Sequence, residues 1–316
     1  MNDSRIQPTI LYDLTTVGDA FVELRAHEEH LPEADKFERH IAGSAAHIAI
    51  YASMLGNKSA CIASVGADAF GTYVQQKLRQ HKVTVSGLQF SREHPTSLLF
   101  AARSGRFLQT TYYRIADWQL HNTKEHVALS QASKIVHGSG FSLWKHPARH
   151  SVFEILRLTK KFDSMTVLQP SYIPALWRDR NDATSTIKKT LQFCDITTPS
   201  SDDAENLFGK GTKEDQVKRF QDLGAESVIL TMGKEGCLVS HEGTTDHIPA
   251  IDAKIVDPSG VNDAWHAGLY YALNSGDDLL EAVEFANAVG AYVLQLPGTL
   301  VELPGADTIR DVMLKQ

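Results

Sequence analysis

The chain has few cysteines, no long apolar run and no basic cluster, and each shortage excludes something. Its 316 residues include three cysteines, Cys61, Cys194 and Cys237, odd in number and far apart. That pattern makes neither a disulfide framework nor a zinc site, so reduced thiols in a cytoplasmic protein are expected. No stretch approaches about 18 consecutive apolar residues, which excludes a membrane-spanning helix. The opening MNDSRIQPTI has no apolar segment of signal-peptide length. Lys plus Arg number 31 and Asp plus Glu 38, a net charge of −7 with no basic run, so nucleic acid is not an expected partner. No G-x-x-x-x-G-K-[ST] occurs, which excludes a Walker-type phosphate loop. In HGSG at 137–140, Leu143 stands where a G-x-G-x-x-G loop needs its third glycine. A Rossmann dinucleotide site is therefore unsupported.

What is present is the raw material of a packed α/β protein. Hydrophobic residues make up 42% and charged residues 22%, enough for a substantial core. Short apolar, β-branched runs at 10–17, 59–65, 132–137, 164–169, 194–198 and 226–231 read as strands. Stretches with helical spacing at 45–55, 69–80, 148–161, 182–193 and 213–223 lie between most of them. This alternation predicts one α/β domain over 1–316, a mostly parallel sheet flanked by helices. Two segments, about 20–40 and 83–117, carry strand-like pieces with no helix between them. VTVSGLQF, TSLLFAAR and FLQTTYYRI are expected to form a small antiparallel β lid, over a ligand or at a dimer surface. Ligands of open α/β sheets bind beyond the carboxyl ends of the strands, so the loops there hold the candidates.

One such loop reads DPSGVND at 257–263 and opens the helix-like AWHAGLYYAL. Gly260 lets the backbone approach a ligand. The amides of Gly260, Val261, Asn262 and Asp263 would cluster at a helix N-terminus, an anion site by geometry and dipole. Asp263 would stand beside a bound phosphate, placed to accept a proton from an attacking hydroxyl. The plainer alternative makes Ser259 or Asp263 an ordinary N-cap. Other glycine-bearing loops follow the same logic: TMGKEG at 231–236, ANAVGA within 286–291, and GSAAHIAIYASMLG at 43–56 followed by SVGADAFG at 64–71.

In this order, these stretches resemble the PfkB family of sugar kinases, with a ribokinase-like fold, over nearly the whole chain. DPSGVNDAWHAG resembles that family's D-T-x-G-A-G-D-x-F-x-A-G signature. AGSAAHIAIYASMLG with SVGADAFG resembles the first signature, TMGKEG the T-x-G-x-x-G loop, and ANAVGA the adenine-pocket stretch. The resemblance implies transfer of the γ-phosphate of ATP, with Mg²⁺, to a hydroxyl of a sugar or sugar acid. Asp263 would be the base, and Gly260, Val261 and Asn262 would complete the anion hole. Thr231, Gly233, Gly236, Asn287 and Gly290, with Ser200 and Asp203, would line the nucleotide site, Asp203 also serving Mg²⁺. Asp257 would take a monovalent cation such as K⁺. Asp19, Glu23, Gly43, His47, Gln169 and the lid residues Arg114 and Asp117 would contact the sugar, with Gly138 and Ser139 near it. YYRIADWQL at 112–120 is similar to kinases of fructose or of keto-deoxy sugar acids, where Arg114 would pair with a carboxylate. A homodimer through the lid is expected.

The chain also departs from the family at polar positions. Asn262 replaces a glycine, and His47 replaces the asparagine of the first signature. The usual D-x-N-x-R appears as Gln169-Pro170-Ser171-Tyr172-Ile173, and the N-x-x-E motif as Ser200-Ser201-Asp202-Asp203. Asn262, carrying a Cβ, is expected to strain the turn. Two function classes follow: an active carbohydrate kinase with an unusual phosphate shell, or a weakly active or inactive relative that binds sugar or nucleotide as a sensor or regulatory partner.

Overall fold

In the computed structural model, residues 8–104 and 107–313 are described; residues 1–7, read above for a leader segment, lie outside them. In chain order the elements are β1 (Tyr12–Gly18), β2 (Phe21–Ala26), β3 (Phe37–Ala42), α1 (Ser44–Leu55), β4 (Ser59–Gly66), α2 (Ala69–Gln80), β5 (Leu88–Ser91), β6 (Leu98–Ser104) and β7 (Phe107–Tyr113). Then come α3 (Lys124–Gln131), β8 (Ser133–Ser139), α4 (Ala148–Thr159), β9 (Met165–Gln169), α5 (Arg180–Leu191), β10 (Ile196–Thr197), α6 (Ser201–Phe208) and α7 (Lys213–Asp222). The rest are β11 (Ser227–Thr231), β12 (Cys237–His241), β13 (Thr244–Ile248), α8 (Val261–Ser275), α9 (Leu279–Leu294) and α10 (Ala306–Met313).

Among the described residues, nine strands form one sheet in the order β13-β12-β11-β10-β9-β8-β1-β4-β5. From β10–β11 through β4–β5 the pairing is parallel; β12 and β13 fold back antiparallel at one edge. Alternate strand residues explain why both faces are covered. Leu14, Ile135, Val167 and Ile229 point into a core shared with α1, α8, α9 and α10. Val17, Val136, Leu168 and Val228 point into the opposite core, under α4, α5, α6 and α7. A strand buried on both faces needs apolar residues at both registers, which is why β4 is buried at all eight positions. The three cysteines are free and buried.

The small sheet has the order β3-β2-β6-β7. It is two antiparallel hairpins, β2–β3 and β6–β7, joined by parallel pairing of β2 with β6. One expectation needs correction. VTVSGLQF does not belong to the lid: β5 pairs with β4, Ala63 opposite Leu88, at the edge of the large sheet. A short apolar run fixes that a strand forms but not which sheet edge it meets. The lid's inner side packs Phe21, Ala42 and Leu99 against Phe141. Its other large side chains include Phe37, Phe100 and Tyr113, stacked edge to face, with Phe37 and Tyr113 exposed.

Candidate active site

Helix α8 starts without a side-chain cap. Its N-cap is Gly260, at φ 74° and ψ −8°, and no side chain accepts from its first turn. A Cβ on Gly260 would lie 2.2 Å from the Thr299 carbonyl oxygen, so glycine is required by conformation and by space. The first amides of a helix have no intrahelical acceptor. With no cap to satisfy them, the amides at 260–263 and the positive end of the helix dipole are available to an anion. The N-cap alternative for Ser259 and Asp263 therefore fails. Asn262 is already helical, not strained: the left-handed residue is Gly260, and Asn262 is not among the positive-φ residues.

The Asp263 carboxylate faces α1. Ser44 Oγ donates to its Oδ1 at 2.6 Å, and His47 Nδ1 lies 3.1 Å from its Oδ2. The Gln169 side-chain oxygen, at the end of β9, is 3.1 Å from the same Ser44 hydroxyl. His47 Nε2 reaches the Ile41 carbonyl at 2.8 Å. Behind them sits Asp19, buried, accepting from Ser44 N at 2.7 Å and Ser139 Oγ at 2.6 Å. Burial pushes its carboxyl above the usual aspartate range, against those hydrogen bonds. Gly43 makes this possible: at φ 104° it lets α1 begin where a Cβ would be 2.5 Å from the Asp19 carbonyl. Two helix N-termini thus converge on one acidic pocket at the carboxyl ends of β1, β8 and β9.

Several expected contacts take other roles. Glu23 is buried and accepts from Arg25 Nε at 2.8 Å. Arg114 and Asp117 are buried together as an ion pair, and Arg114 Nη1 also donates to the Phe141 carbonyl. Arg114 therefore holds the lid to the body and is not free for a substrate carboxylate. Asp203 accepts from Ser200 N and Oγ and from Tyr172 N, closing the capping box of α6. Its carboxyl is buried and pushed upward by that burial, with Ser200 as its partner in the cap. Asn287 accepts from Trp265 Nε1 at 2.9 Å and donates to the Pro249 carbonyl at 2.9 Å, so it braces α8 against α9. Thr231 ends β11, bonded to Pro199, and Gly233 and Gly236 form the turn into β12. Gly290 lies across from Val261 and Trp265 in ordinary contact.

Asp257 is the clearest departure. Its oxygens accept from Ser259 N at 2.9 Å, Gly298 N at 3.2 Å, Arg103 at 2.8 Å and Arg25 at 3.3 Å. Ser259 Oγ accepts from both arginines as well. Two guanidiniums from the lid stand where the resemblance places a monovalent cation, and these residues do not fit that ion. Equal rates in K⁺ and in Na⁺ are the expected result in any phosphorylation assay; tenfold activation by K⁺ would overturn it. Sequence reasoning missed Ser44, Arg25 and Arg103. Arg25 pairs with Ala101 in register, which sets Arg103 on the same side two residues on, but only the cross-lid pairing reveals that. Among the described residues no cluster of three acidic, histidine or cysteine groups could hold a resident metal.

Comparison with known proteins identifies the family. The sequence model of the pfkB family carbohydrate kinases matches residues 11–305. An ATP-dependent 6-phosphofructokinase of Thermoanaerobacterium thermosaccharolyticum is 34% identical over 98% of this chain and 97% of its own. A 2-dehydro-3-deoxygluconokinase of Thermoproteus tenax is 29% identical over 93% and 92%. Among solved structures, the fructokinase of Halothermothrix orenii superposes with a TM-score of 0.79 at 29% identity, over 90% of this chain and 100% of that one. A putative ribokinase II of E. coli reaches 0.84 at 20% identity over 97% and 100%, which shows the fold alone. Family match, fold and the uncapped helix beside an aspartate converge: the chain belongs to the PfkB family of carbohydrate kinases, phosphotransferases with an alcohol group as acceptor.

Proposed function

We propose that this protein transfers the γ-phosphate of ATP to a hydroxyl of a fructose-type ketose, free or already phosphorylated at its other end. The observation that carries the reading is Asp263 at the mouth of the uncapped α8 N-terminus. A sugar hydroxyl placed against Asp263 gives up its proton there and attacks phosphorus. The amides of 260–263 take up the charge on the transferring group in place of water. Bound with the nucleotide, Mg²⁺ neutralises phosphate charge. The purine is assigned to the apolar slot lined by Ile251, Ala288, Ala291 and Tyr292, between α9 and α10. Asp19, Gly43, Gln169 and Ser139 form the floor against which the sugar lies. The ketose is preferred to a sugar acid because Arg114 already has its carboxylate in Asp117.

The test is ADP release with ATP and Mg²⁺ across fructose, fructose 6-phosphate, 2-keto-3-deoxygluconate and ribose. A ketohexose or its phosphate is expected to give the highest kcat/KM; no release above background with any of them would sink the reading. Three free, buried thiols support a reducing, cytoplasmic setting. No helix of the described residues is long and apolar enough to cross a membrane. The exposed Phe37, Leu108 and Tyr113 support a homodimer through the lid. Its mass by light scattering is expected at twice the 34.9 kDa of one chain, and a single-chain mass would refute the pairing.

A further inference from the structure

His47 is held between two acceptors. Nε2 lies 2.8 Å from the Ile41 carbonyl, and Nδ1 lies 3.1 Å from Asp263 Oδ2. A backbone carbonyl only accepts, so Nε2 carries a proton. A neutral ring then has a bare Nδ1, which would set a lone pair against an ionised carboxylate. The resting arrangement resolves this with one more proton on Nδ1, making an imidazolium–carboxylate pair. The surroundings agree. Asp263 faces the ring from α8, Glu23 adds its charge from β2, and β3 contributes only the Ile41 carbonyl. The Tyr51 ring sits edge-on at 6.4 Å, and its hydroxyl is engaged with Thr299 and Val301. Burial pulls the His47 pKa down. The Asp263 hydrogen bond and charge, the Ile41 carbonyl and Glu23 outweigh it and raise the value above the ordinary 6.5.

That proton matters because it sits on the base. In the imidazolium form Nδ1 donates to Asp263, and nothing behind the carboxylate can take up a further proton. In the neutral form Nδ1 is an acceptor aimed at Asp263 Oδ2. We propose that His47 is the positioning residue of the base: neutral His47 receives the hydrogen bond of Asp263 once that carboxyl has taken the hydroxyl proton, and protonated His47 holds Asp263 idle. The step balances. The sugar O–H breaks, its oxygen bonds to the γ-phosphorus, and the bond from that phosphorus to the leaving ADP oxygen breaks. The proton rests on Asp263, hydrogen-bonded to Nδ1, until products leave.

This inference rests on the kinase reading, but one of its tests does not. The first test is the pH profile of kcat/KM. For the wild type it is expected to fall by about tenfold per pH unit below a limb lying above the ordinary histidine value. His47→Asn cannot titrate and is expected to lose that limb. Superimposable profiles for wild type and His47→Asn would overturn the proposal. The second test needs neither a substrate nor a folded variant at position 47. Nitrogen NMR of histidine-labelled wild type near neutral pH is expected to show one buried ring protonated at both nitrogens. At higher pH it becomes the Nε2–H tautomer, and in Asp263→Asn that change moves to lower pH. A neutral buried ring throughout would overturn the proposal even if phosphorylation is robust. A titrating ring in a protein that phosphorylates no sugar would instead refute the kinase reading and leave the ion pair standing.

Discussion

Asp263→Asn is expected to lower phosphoryl transfer about a hundredfold to ten-thousandfold, the range over which a positioned general base acts. The substitution keeps the volume and leaves an oxygen to accept from Ser44 Oγ, so the N-termini of α1 and α8 remain joined. An amide nitrogen facing His47 donates to its neutral Nδ1, so that side of the cluster is satisfied too. The fold and the affinity for sugar and nucleotide should therefore persist while turnover does not. Steady-state kinetics together with calorimetric sugar binding would separate the two effects. Unchanged turnover would remove Asp263 from the chemistry. Loss of binding equal to the loss of rate would make it a substrate anchor instead.

Gly260→Ala is expected to damage both fold and activity. A non-glycine residue in the left-handed region costs about 1–2 kcal/mol. Here the new Cβ must also escape the Thr299 carbonyl, 2.2 Å away. The escape moves the first turn of α8, where the anion-binding amides and Asp263 sit. Thermal unfolding is expected several degrees lower, with residual activity at or below about one hundredth, since removing even one preorganised donor to developing charge costs roughly that much. Gly290→Ala is the control. A Cβ there meets nothing nearer than 3.6 Å, so melting temperature and rate should stay near wild type. Equal damage from both would mean that α8 and α9 respond to any added bulk, and the close approach at Thr299 would not be special.

Both expectations show how unevenly the chain can be read. Strands such as β1 and β4 and helices such as α1 and α7 were legible because local spacing alone carries them. The family signatures located Asp263 and the glycines at the head of α8. What sequence could not supply was the pairing of distant groups. Arg25 and Asp257 are separated by 232 positions and Arg103 and Ser259 by 156, and only folding brings them together. Asp203 carries an acid where a metal ligand was expected, but its oxygens accept from Ser200 in the cap of α6 and from Tyr172. Arg114 offered a cation for a carboxylate and was already paired with one. Asn262 looked strained because the turn was placed two residues too late: the left-handed position is Gly260. For Asp257, Asp203 and Arg114 the residue type was read correctly, and the competing partner was invisible.

The two arginines on Asp257 and Ser259 give the lid a further property. They are side chains of β2 and β6, the middle strands of the small sheet, while their acceptors precede the α8 N-terminus. Any outward swing of the sheet must stretch both guanidinium contacts, and any charge arriving at that helix end is felt by both. Asp257 is buried while both guanidiniums are partly exposed, so solvent reaches the latch from its arginine side. It is also sensitive to dissolved salt, which screens such pairs. If the small sheet opens for sugar, entry and release are expected to quicken as ionic strength rises, and salt-independent rates would take the two arginines out of that role.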